Sequence, residues 1–354
     1  RSSGSPTLTP TPGPLRGVVG PPLERRVTEA APREDLRPEE IDLPEGAALP
    51  FTFVPGERMT PLVISCPHVG LAWPPDAPRP RPPVDFARNA DYEVHLLYSR
   101  AAALGAAVIR AQYSRLVVDL NRAADDISPD LVPDHPAPRP DRRQWRHGGQ
   151  IARNRGVVWD TAVGNIPILH GPLPFAELAL RLARYYQPYH RAVALLLARR
   201  RARFGHAVLL DAHSMPSSVA GDLILGTYEG GACSPALEQQ ALAALRGSAD
   251  EAAPLAVRLN DPYRGGELVR SFGRPESGQH ALQLEVNRAL YMDEARPAVW
   301  PELAAYAAGS SEGAPRPVQR PRLAALLGRV ESLVCALANA RPGELVTPSA
   351  GDPA

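Results

Sequence analysis

The chain has few cysteines and no long apolar segment, which excludes several classes of protein. Its three cysteines, Cys66, Cys233 and Cys335, lie far apart in 354 residues. A disulfide framework and a CxxC zinc knuckle are therefore excluded, and a reducing compartment, the cytoplasm, is predicted. No run approaches the roughly 20 apolar residues that cross a membrane, and no signal-peptide pattern is visible. We predict no membrane partner.

Lysine is absent, so arginine supplies all 39 basic residues, against 38 acidic ones. The net charge of +1 lacks the strongly basic balance of many nucleic-acid-binding proteins, and we predict no nucleic-acid partner. Individual arginines can still matter at a binding site, because one guanidinium group can bind both oxygens of a carboxylate.

Composition changes along the chain. Residues 1–45 are rich in Pro, Gly and Ser and lack apolar periodicity, so we predict a disordered extension there. Residues 46–340 are predicted to form one folded domain, followed by a flexible tail at 341–354. Within the domain, residues 123–150 are polar and rich in Pro and Arg, which predicts a long loop.

Strand and helix patterns alternate through the domain. Short apolar runs bounded by turn residues predict strands at 49–54, 61–67, 106–110, 116–120, 207–211, 223–226, 256–260 and 281–287. Apolar residues at helical spacing predict helices at 91–104, 174–203 with an interruption near Pro188, 236–246 and 320–340. This order predicts an α/β fold with a mixed, mostly parallel twisted sheet flanked by helices.

The stretch Ala207-Val-Leu-Leu-Asp-Ala-His-Ser-Met215 begins as a buried strand and ends in Asp211, His213 and Ser214. Ligand sites of open α/β sheets lie just outside the carboxyl ends of such strands. The position therefore suits a catalytic or metal-binding histidine. A core or helix-capping histidine explains the pattern equally well.

Two further residues follow the same logic. His68 lies directly after the strand predicted at 61–67, and Asp91 begins the first long predicted helix. Two histidines and one carboxylate are a common ligand set for catalytic zinc, which keeps one position open for water. We predict that His68, Asp91 and His213 bind Zn²⁺. Helix N-capping is the alternative role for Asp91.

Glu285 is a carboxylate within the apolar alternation of Gln283-Leu-Glu-Val-Asn287. Charged residues are rarely buried unless they are paired or functional. Glu285 is therefore a candidate general base. An ion pair with Arg288 or with another arginine at the strand end is the alternative.

Four arginines are candidates for binding a substrate that carries carboxylates. Arg115 and Arg122 flank the strand predicted at 116–120, and Arg264 and Arg270 flank the Gly265-Gly266 turn. Several guanidinium groups around one pocket would favour such a substrate. Surface or structural ion pairs are the alternative for each.

Six motifs resemble the N-formylglutamate amidohydrolase family, in the family's order, between about Pro61 and Glu294. They are Pro67-His-Val-Gly70, Ser114-Arg-Leu-Val-Val-Asp-Leu-Asn-Arg122, Tyr185-Tyr-Gln-Pro-Tyr-His190, Asp211-Ala-His-Ser-Met215, Asn260-Asp-Pro-Tyr-Arg-Gly-Gly266 and Gln283-Leu-Glu-Val-Asn-Arg-Ala-Leu-Tyr-Met-Asp293. The resemblance implies a zinc hydrolase with a fold similar to zinc carboxypeptidases and aspartoacylases. The implied reaction is hydrolysis of N-formyl-L-glutamate to formate and L-glutamate, a step of histidine breakdown.

The resemblance also implies roles for individual residues. His68, His213 and Asp91 correspond to zinc ligands, and Glu285 corresponds to the general base. Arg115 is similar to the arginine that polarises the scissile carbonyl group of related hydrolases.

The pair Asn121-Arg122 is similar to the pair that holds the substrate carboxylate. His280 and Tyr263 are further candidates for lining the pocket or for structural roles.

Two alternatives to this function remain at the level of sequence. One is an amidohydrolase of the same fold that cleaves a different N-acyl amino acid or a small peptide-like amide. The other is a non-catalytic descendant that uses the pocket for binding and the Pro-rich extension to engage a partner through polyproline segments.

Overall fold

The computed structural model describes residues 34–77, 79–138, 146–147, 150–151, 155–169, 171–247, 253–309 and 320–341. Within them the strands are β1 (Phe51–Val54), β2 (Leu62–Cys66), β3 (Ala107–Ala111), β4 (Arg146–His147), β5 (Gln150–Ile151), β6 (Thr161–Ala162), β7 (Ile166–Pro167), β8 (Ala207–Met215), β9 (Leu223–Gly226), β10 (Val257–Leu259), β11 (Gln279–Asn287), β12 (Met292–Asp293) and β13 (Ala298–Val299). The α-helices are α1 (Phe175–Arg181), α2 (Gln187–Phe204), α3 (Pro235–Arg246), α4 (Glu267–Phe272), α5 (Pro301–Gly309) and α6 (Pro321–Ala338). Short 3-10 helices cover Pro38–Ile41, Ala87–Asn89, Val94–Tyr98, Pro275–Ser277 and Arg288–Leu290.

Seven strands form one mixed sheet in the order β1-β3-β2-β8-β11-β9-β10. The neighbours β3, β2, β8 and β11 are parallel, as are β9 and β10, whereas β1 and β9 pair antiparallel with β3 and β11. This confirms the predicted mixed, mostly parallel sheet. Because β2, β8 and β11 run in the same direction, their carboxyl ends meet at one edge.

The two faces of the sheet pack against different helices. In β8, Val208 and Leu210 belong to the core shared with α3 and α6, whereas Leu209 belongs to the core shared with α1 and α2. Side chains alternate between the faces along a strand. Asp211 and His213 therefore lie on the same side as Leu209, at the carboxyl end of the strand. None of the helices in the described ranges is long and apolar enough to cross a membrane.

Packing begins before the predicted domain boundary at residue 46. Both oxygens of Glu34 accept hydrogen bonds from the buried Arg200 guanidinium of α2, at 2.9 and 2.7 Å. Arg199 binds Glu40 at 2.6 Å, and Ile41 is fully buried. Residues 34–41 thus pack against α2, with Leu36 and Ile41 buried. Residues 1–33 of the predicted extension and 342–354 of the predicted tail lie outside the described residues.

The prediction of a helix at 91–104 is wrong over most of that range. The chain forms a 3-10 helix at Val94–Tyr98, and turns extend from there to Gly105. Glu93 has a φ of 54°, a left-handed conformation that does not fit inside an α-helix. The predicted apolar face is still buried, because turns can bury the same side chains.

The prediction of a strand at 116–120 is also wrong. Leu116 and Val117 are buried, but the backbone forms turns there. The Asp119 N–H donates to the Val157 carbonyl at 2.7 Å, outside the sheet. An apolar run indicates burial without deciding whether the buried segment is a strand.

The other long elements match their predictions closely. The predicted interruption near Pro188 is a π-helical segment, Leu182–Tyr186, between α1 and α2. Proline cannot donate to the preceding turn and crowds its carbonyl group, which explains the local change of helix type. The strand predicted at 207–211 extends to Met215, and the short helices α4 and α5 were not predicted. Residues 123–138 of the predicted loop contain no helix or strand.

Gly70 of the Pro67-His-Val-Gly70 motif lies where two backbone segments touch. A Cβ atom at this position would lie 2.2 Å from the Tyr113 carbonyl oxygen. We expect Gly70→Ala to lower the free energy of unfolding by about 1–3 kcal/mol, because the backbones would have to separate. Urea denaturation measures this value. Gly328→Ala in α6, whose Cβ would meet no atom within 4 Å, is the control and is expected to be neutral or stabilising. Equal stability of both variants would contradict the prediction.

Candidate active site

The carboxyl edge of the sheet brings the predicted site residues together. His68 follows β2, and His213 lies near the end of β8. The Asp91 N–H donates to the His68 carbonyl at 2.9 Å, which places the two side by side. Glu285 on β11 is the register partner of His213. Residues from four distant parts of the sequence thus share one site.

His68, Asp91 and His213 form a buried cluster whose ligand atoms all lie within 4.8 Å of one another. Nδ1 of His213 lies 2.8 Å from Asp91 Oδ2, and Nδ1 of His68 lies 3.5 Å from the same oxygen. Among the residues that the structure describes, His68 Nδ1 is buried without a hydrogen-bond partner. Two imidazole nitrogens and one carboxylate directed at one point fit a bound divalent metal ion such as zinc.

Two further aspartates hold the outer nitrogen of each histidine. Asp119 Oδ1 lies 2.7 Å from His68 Nε2, and Asp211 Oδ2 lies 2.7 Å from His213 Nε2. Such carboxylates fix the orientation of a ligand histidine and place its proton on the outer nitrogen. Nδ1 of each ring is then unprotonated and can bind a metal ion. His213 is therefore not a capping histidine.

The electrostatics of the cluster favour ionised carboxylates. Burial alone would raise the pKa of Asp91, but the neighbouring imidazole groups of His213 and His68 hold that pKa well below its usual range. The pKa of Asp119 is also well below its usual range, because the charges of Arg115 and His68 outweigh the effect of burial. Burial opposes the protonation of His213, yet Asp211 and Asp91 raise its pKa well above the usual value. The cluster is therefore built to hold positive charge.

Asp91 does not cap a helix. The helix that follows it begins at Val94, and its N-cap, Glu93, makes no side-chain hydrogen bond. The Asp91 carboxylate instead faces the histidines and Nη2 of Arg288, at 3.4 Å. Arg288 also donates to the Ala90 carbonyl at 2.8 Å and to Glu294 at 3.1 Å. The alternative ion pair between Glu285 and Arg288 does not form.

Glu285 is buried beside the cluster, and its Oε1 accepts a hydrogen bond of 2.9 Å from Gln283 Nε2. Burial raises the pKa of Glu285 to about 7. His213 lowers this pKa, whereas Asp91 raises it. A carboxylate that exchanges a proton near neutral pH suits general acid–base work.

Arg115 holds the carboxylate that orients His68. Its Nε and Nη2 both donate to Asp119 Oδ2, at 3.1 and 2.7 Å. The guanidinium group lies 4.5 Å above the centre of the Trp159 ring. Its charge also lowers the pKa of Glu285, which places Arg115 within electrostatic reach of the candidate base.

The side-chain amide of Asn121 forms hydrogen bonds with other residues of the protein. Its Nδ2 donates to Asp211 Oδ2 at 2.9 Å, and its Oδ1 accepts from the Leu268 N–H at 2.8 Å. Arg122 follows it, with its carbonyl accepting from the Tyr186 hydroxyl at 2.8 Å. The charge of Arg122 also contributes to the low pKa of Asp119.

Arg264 and Arg270 form ion pairs with other residues. Arg264 binds Glu229 at 3.2 Å, and Arg270 binds Glu267 at 2.7 Å. Neither hydrogen bonds to the His–Asp–His cluster in the described part of the chain. The alternative of structural ion pairs explains both.

The two remaining pocket candidates differ in their surroundings. Burial and the charges of Glu285 and Asp91 raise the pKa of Tyr263 to about 12. His280 lies at the amino end of β11, where its Nδ1 accepts from the Ser234 N–H at 3.2 Å. His280 therefore has a structural role.

Sequence reasoning missed the two orienting carboxylates, Asp119 and Asp211. Alternation along a strand gives the signal for Asp211, because residues two apart share a face and Asp211-Ala-His213 places both side chains together. The signal for Asp119 is weaker, since it lies in a turn that the sequence predicted as a strand.

The fold is of the α/β class, with a mixed sheet flanked by helices. At the carboxyl edge of the sheet, the buried His–Asp–His cluster and the buried Glu285 form a candidate metal-dependent hydrolytic site. The sequence profile of the N-formylglutamate amidohydrolase family matches residues 60–292, and the chain belongs to this family.

The relatives are consistent with this membership. The N-formylglutamate deformylase of Pseudomonas aeruginosa is 37% identical over 249 residues, covering 67% of this chain and 84% of the relative. That of Pseudomonas putida is 34% identical over 254 residues, covering 68% and 85%. The crystal structure of N-formylglutamate amidohydrolase from Ralstonia eutropha JMP134 is 28% identical with a TM-score of 0.65, covering 82% of this chain and 98% of that one.

A more distant structure, gene product Atu2144 from Agrobacterium tumefaciens, shares the fold. It is 19% identical with a TM-score of 0.53, covering 80% of this chain and 93% of that chain.

Proposed function

We propose that the chain is a zinc-dependent amidohydrolase that hydrolyses N-formyl-L-glutamate to formate and L-glutamate, a cytoplasmic step of histidine breakdown. The observation that carries the proposal is the convergence of His68, Asp91 and His213 beside the buried Glu285. Two relatives above 30% identity that are named N-formylglutamate deformylase support the substrate. We further propose that residues 46–340 form the catalytic domain, against which residues 34–41 also pack.

The ligand set defines what a bound ion would do. Zinc held by His68, Asp91 and His213 would supply Lewis acidity toward a carbonyl oxygen and a water molecule. Asp119 and Asp211 keep the two imidazole rings directed at this position.

Glu285 is the proposed general base. It accepts a proton from the water that attacks the formyl carbon and passes this proton to the departing amine of glutamate. Gln283 holds one carboxylate oxygen of Glu285 at 2.9 Å, which leaves the other for the water.

Arginines complete the proposed mechanism. Nε and Nη2 of Arg115 bind Asp119, so in this proposal Nη1 is the atom that would bind the scissile carbonyl oxygen. Arg122 is the proposed partner of a substrate carboxylate. We leave Arg264 and Arg270 out of the substrate site, because they pair with Glu229 and Glu267.

Chelation tests the proposal directly. The purified protein is expected to contain about one zinc ion per chain and to release amine from N-formyl-L-glutamate. A chelator should abolish this release, and added zinc should restore it. N-acetyl-L-glutamate and other N-acyl amino acids serve as the comparison panel.

The other outcomes decide between the two alternatives. Zinc with release from a different N-acyl amino acid would keep the hydrolase and replace the substrate. Absence of both zinc and activity, even after metal is added back, would favour the non-catalytic binding protein.

A further inference from the structure

We propose that Asn121 is a positioning residue that orients both histidine ligands, rather than a group that holds the substrate carboxylate. The inference rests on the proposed function in one respect, namely that the cluster binds zinc. Asn121 is buried and lies between the two carboxylate–histidine pairs.

The side chain of Asn121 acts on the His213 pair. Its Nδ2 donates to Asp211 Oδ2 at 2.9 Å, and the same oxygen lies 2.7 Å from His213 Nε2. Asn121 Nδ2 itself lies 2.9 Å from that ring nitrogen. One amide group thus fixes the carboxylate that fixes the ring.

The backbone of Asn121 acts on the His68 pair. Its N–H donates to Asp119 Oδ1 at 3.0 Å, the oxygen that lies 2.7 Å from His68 Nε2. A substitution of the side chain leaves this contact in place. We therefore expect a change at Asn121 to disturb His213 more than His68.

The turn before α4 provides the space that Asn121 occupies. Gly266 has a φ of −93°, which any residue can adopt. A Cβ atom there would lie 2.4 Å from Asn121 Nδ2 and 2.6 Å from Oδ1. Glycine is thus required for space, and Gly266→Ala is a steric probe of the Asn121 amide.

No group of the amide points to a substrate. Nδ2 faces Asp211 and His213, and Oδ1 accepts from the Leu268 N–H at 2.8 Å. A substrate carboxylate could bind Asn121 only by displacing contacts that hold a zinc ligand.

The experiment measures zinc affinity of the metal-free protein by competition with a chromophoric chelator. Asn121→Ala is expected to weaken zinc binding roughly 10- to 100-fold, the usual effect of removing an outer-shell partner. KM for N-formyl-L-glutamate at saturating zinc should stay at the wild-type value. Gly266→Ala should weaken zinc binding in the same direction. The double variant should be no worse than Asn121→Ala, because both changes act on one contact.

Asn287→Ala is the matched control. Asn287 is also buried, and within the described ranges its amide binds backbone groups alone, at Val219, Gly221 and Ala289. The Asn287→Ala variant should be less stable than the wild type but should bind zinc with the same affinity. Thermal denaturation verifies that each variant folds. If Asn121→Ala does not fold, the zinc affinity of Gly266→Ala tests the role of Asn121 instead.

Wild-type zinc affinity in Asn121→Ala together with a raised KM would overturn the inference in favour of a substrate anchor. Additive losses in the double variant would also overturn it. A wild-type protein that binds zinc without hydrolysing N-formyl-L-glutamate refutes only the proposed substrate, and the zinc comparison still decides the role of Asn121. A wild-type protein without zinc affinity refutes both.

Discussion

Replacing Glu285 by glutamine is expected to lower kcat for N-formyl-L-glutamate by a factor of about 10² to 10⁴, the usual contribution of a general base. The amide has the shape of the carboxylate but cannot accept a proton from water. Its Oε1 can still accept the hydrogen bond from Gln283 Nε2, so the side chain should keep its place. Steady-state kinetics on zinc-saturated protein measures the effect.

Zinc affinity separates this outcome from general damage to the site. Glu285 is not one of the three ligand residues, so Glu285→Gln should bind zinc as the wild type does. Glu238→Gln is the control, because Glu238 is a half-buried glutamate that accepts a hydrogen bond from Thr227 at 2.6 Å, outside the cluster. Full turnover in Glu285→Gln would assign proton transfer to another group.

The sequence was sufficient to predict which strand ends meet. Apolar runs before His68 and His213 predicted parallel strands, and parallel strands share one carboxyl edge. The paired register of β8 and β11 then places Glu285 beside His213 without any local signal that joins them. Predictions that depend on strand direction and side-chain alternation are therefore the ones that the fold confirms.

Predictions that depend on the partner of one polar side chain need information from outside the local sequence. Arg264 and Arg270 flank a turn in the sequence, but each has a glutamate within reach, and neither reaches the cluster. Asn121 resembled a substrate anchor, yet Asp211 and the Leu268 N–H occupy its amide. Partners from distant segments decide such roles, and local sequence does not specify them.

Replacing Asp91 by asparagine is expected to weaken zinc binding by more than about 100-fold, since even outer-shell substitutions weaken it by about 10- to 100-fold. The neutral amide removes the negative charge that faces both histidines, at 2.8 and 3.5 Å. It also leaves Arg288 with a weaker partner at 3.4 Å. Turnover at limiting zinc should fall in parallel. Competition with a chromophoric chelator measures the affinity.

This substitution distinguishes a ligand from a residue that only stabilises the local turn, because asparagine can accept the same backbone hydrogen bonds as aspartate. If Asp91 only stabilised the local turn, Asp91→Asn would keep wild-type stability and wild-type zinc affinity. Asp222→Asn is the control, since Asp222 accepts from the Ala256 N–H and from Arg322, outside the cluster. That variant should retain zinc affinity. Because His68 and His213 both face Asp91 Oδ2, the loss of one charge should disrupt the whole donor set, so unchanged affinity in Asp91→Asn would exclude Asp91 as the third ligand.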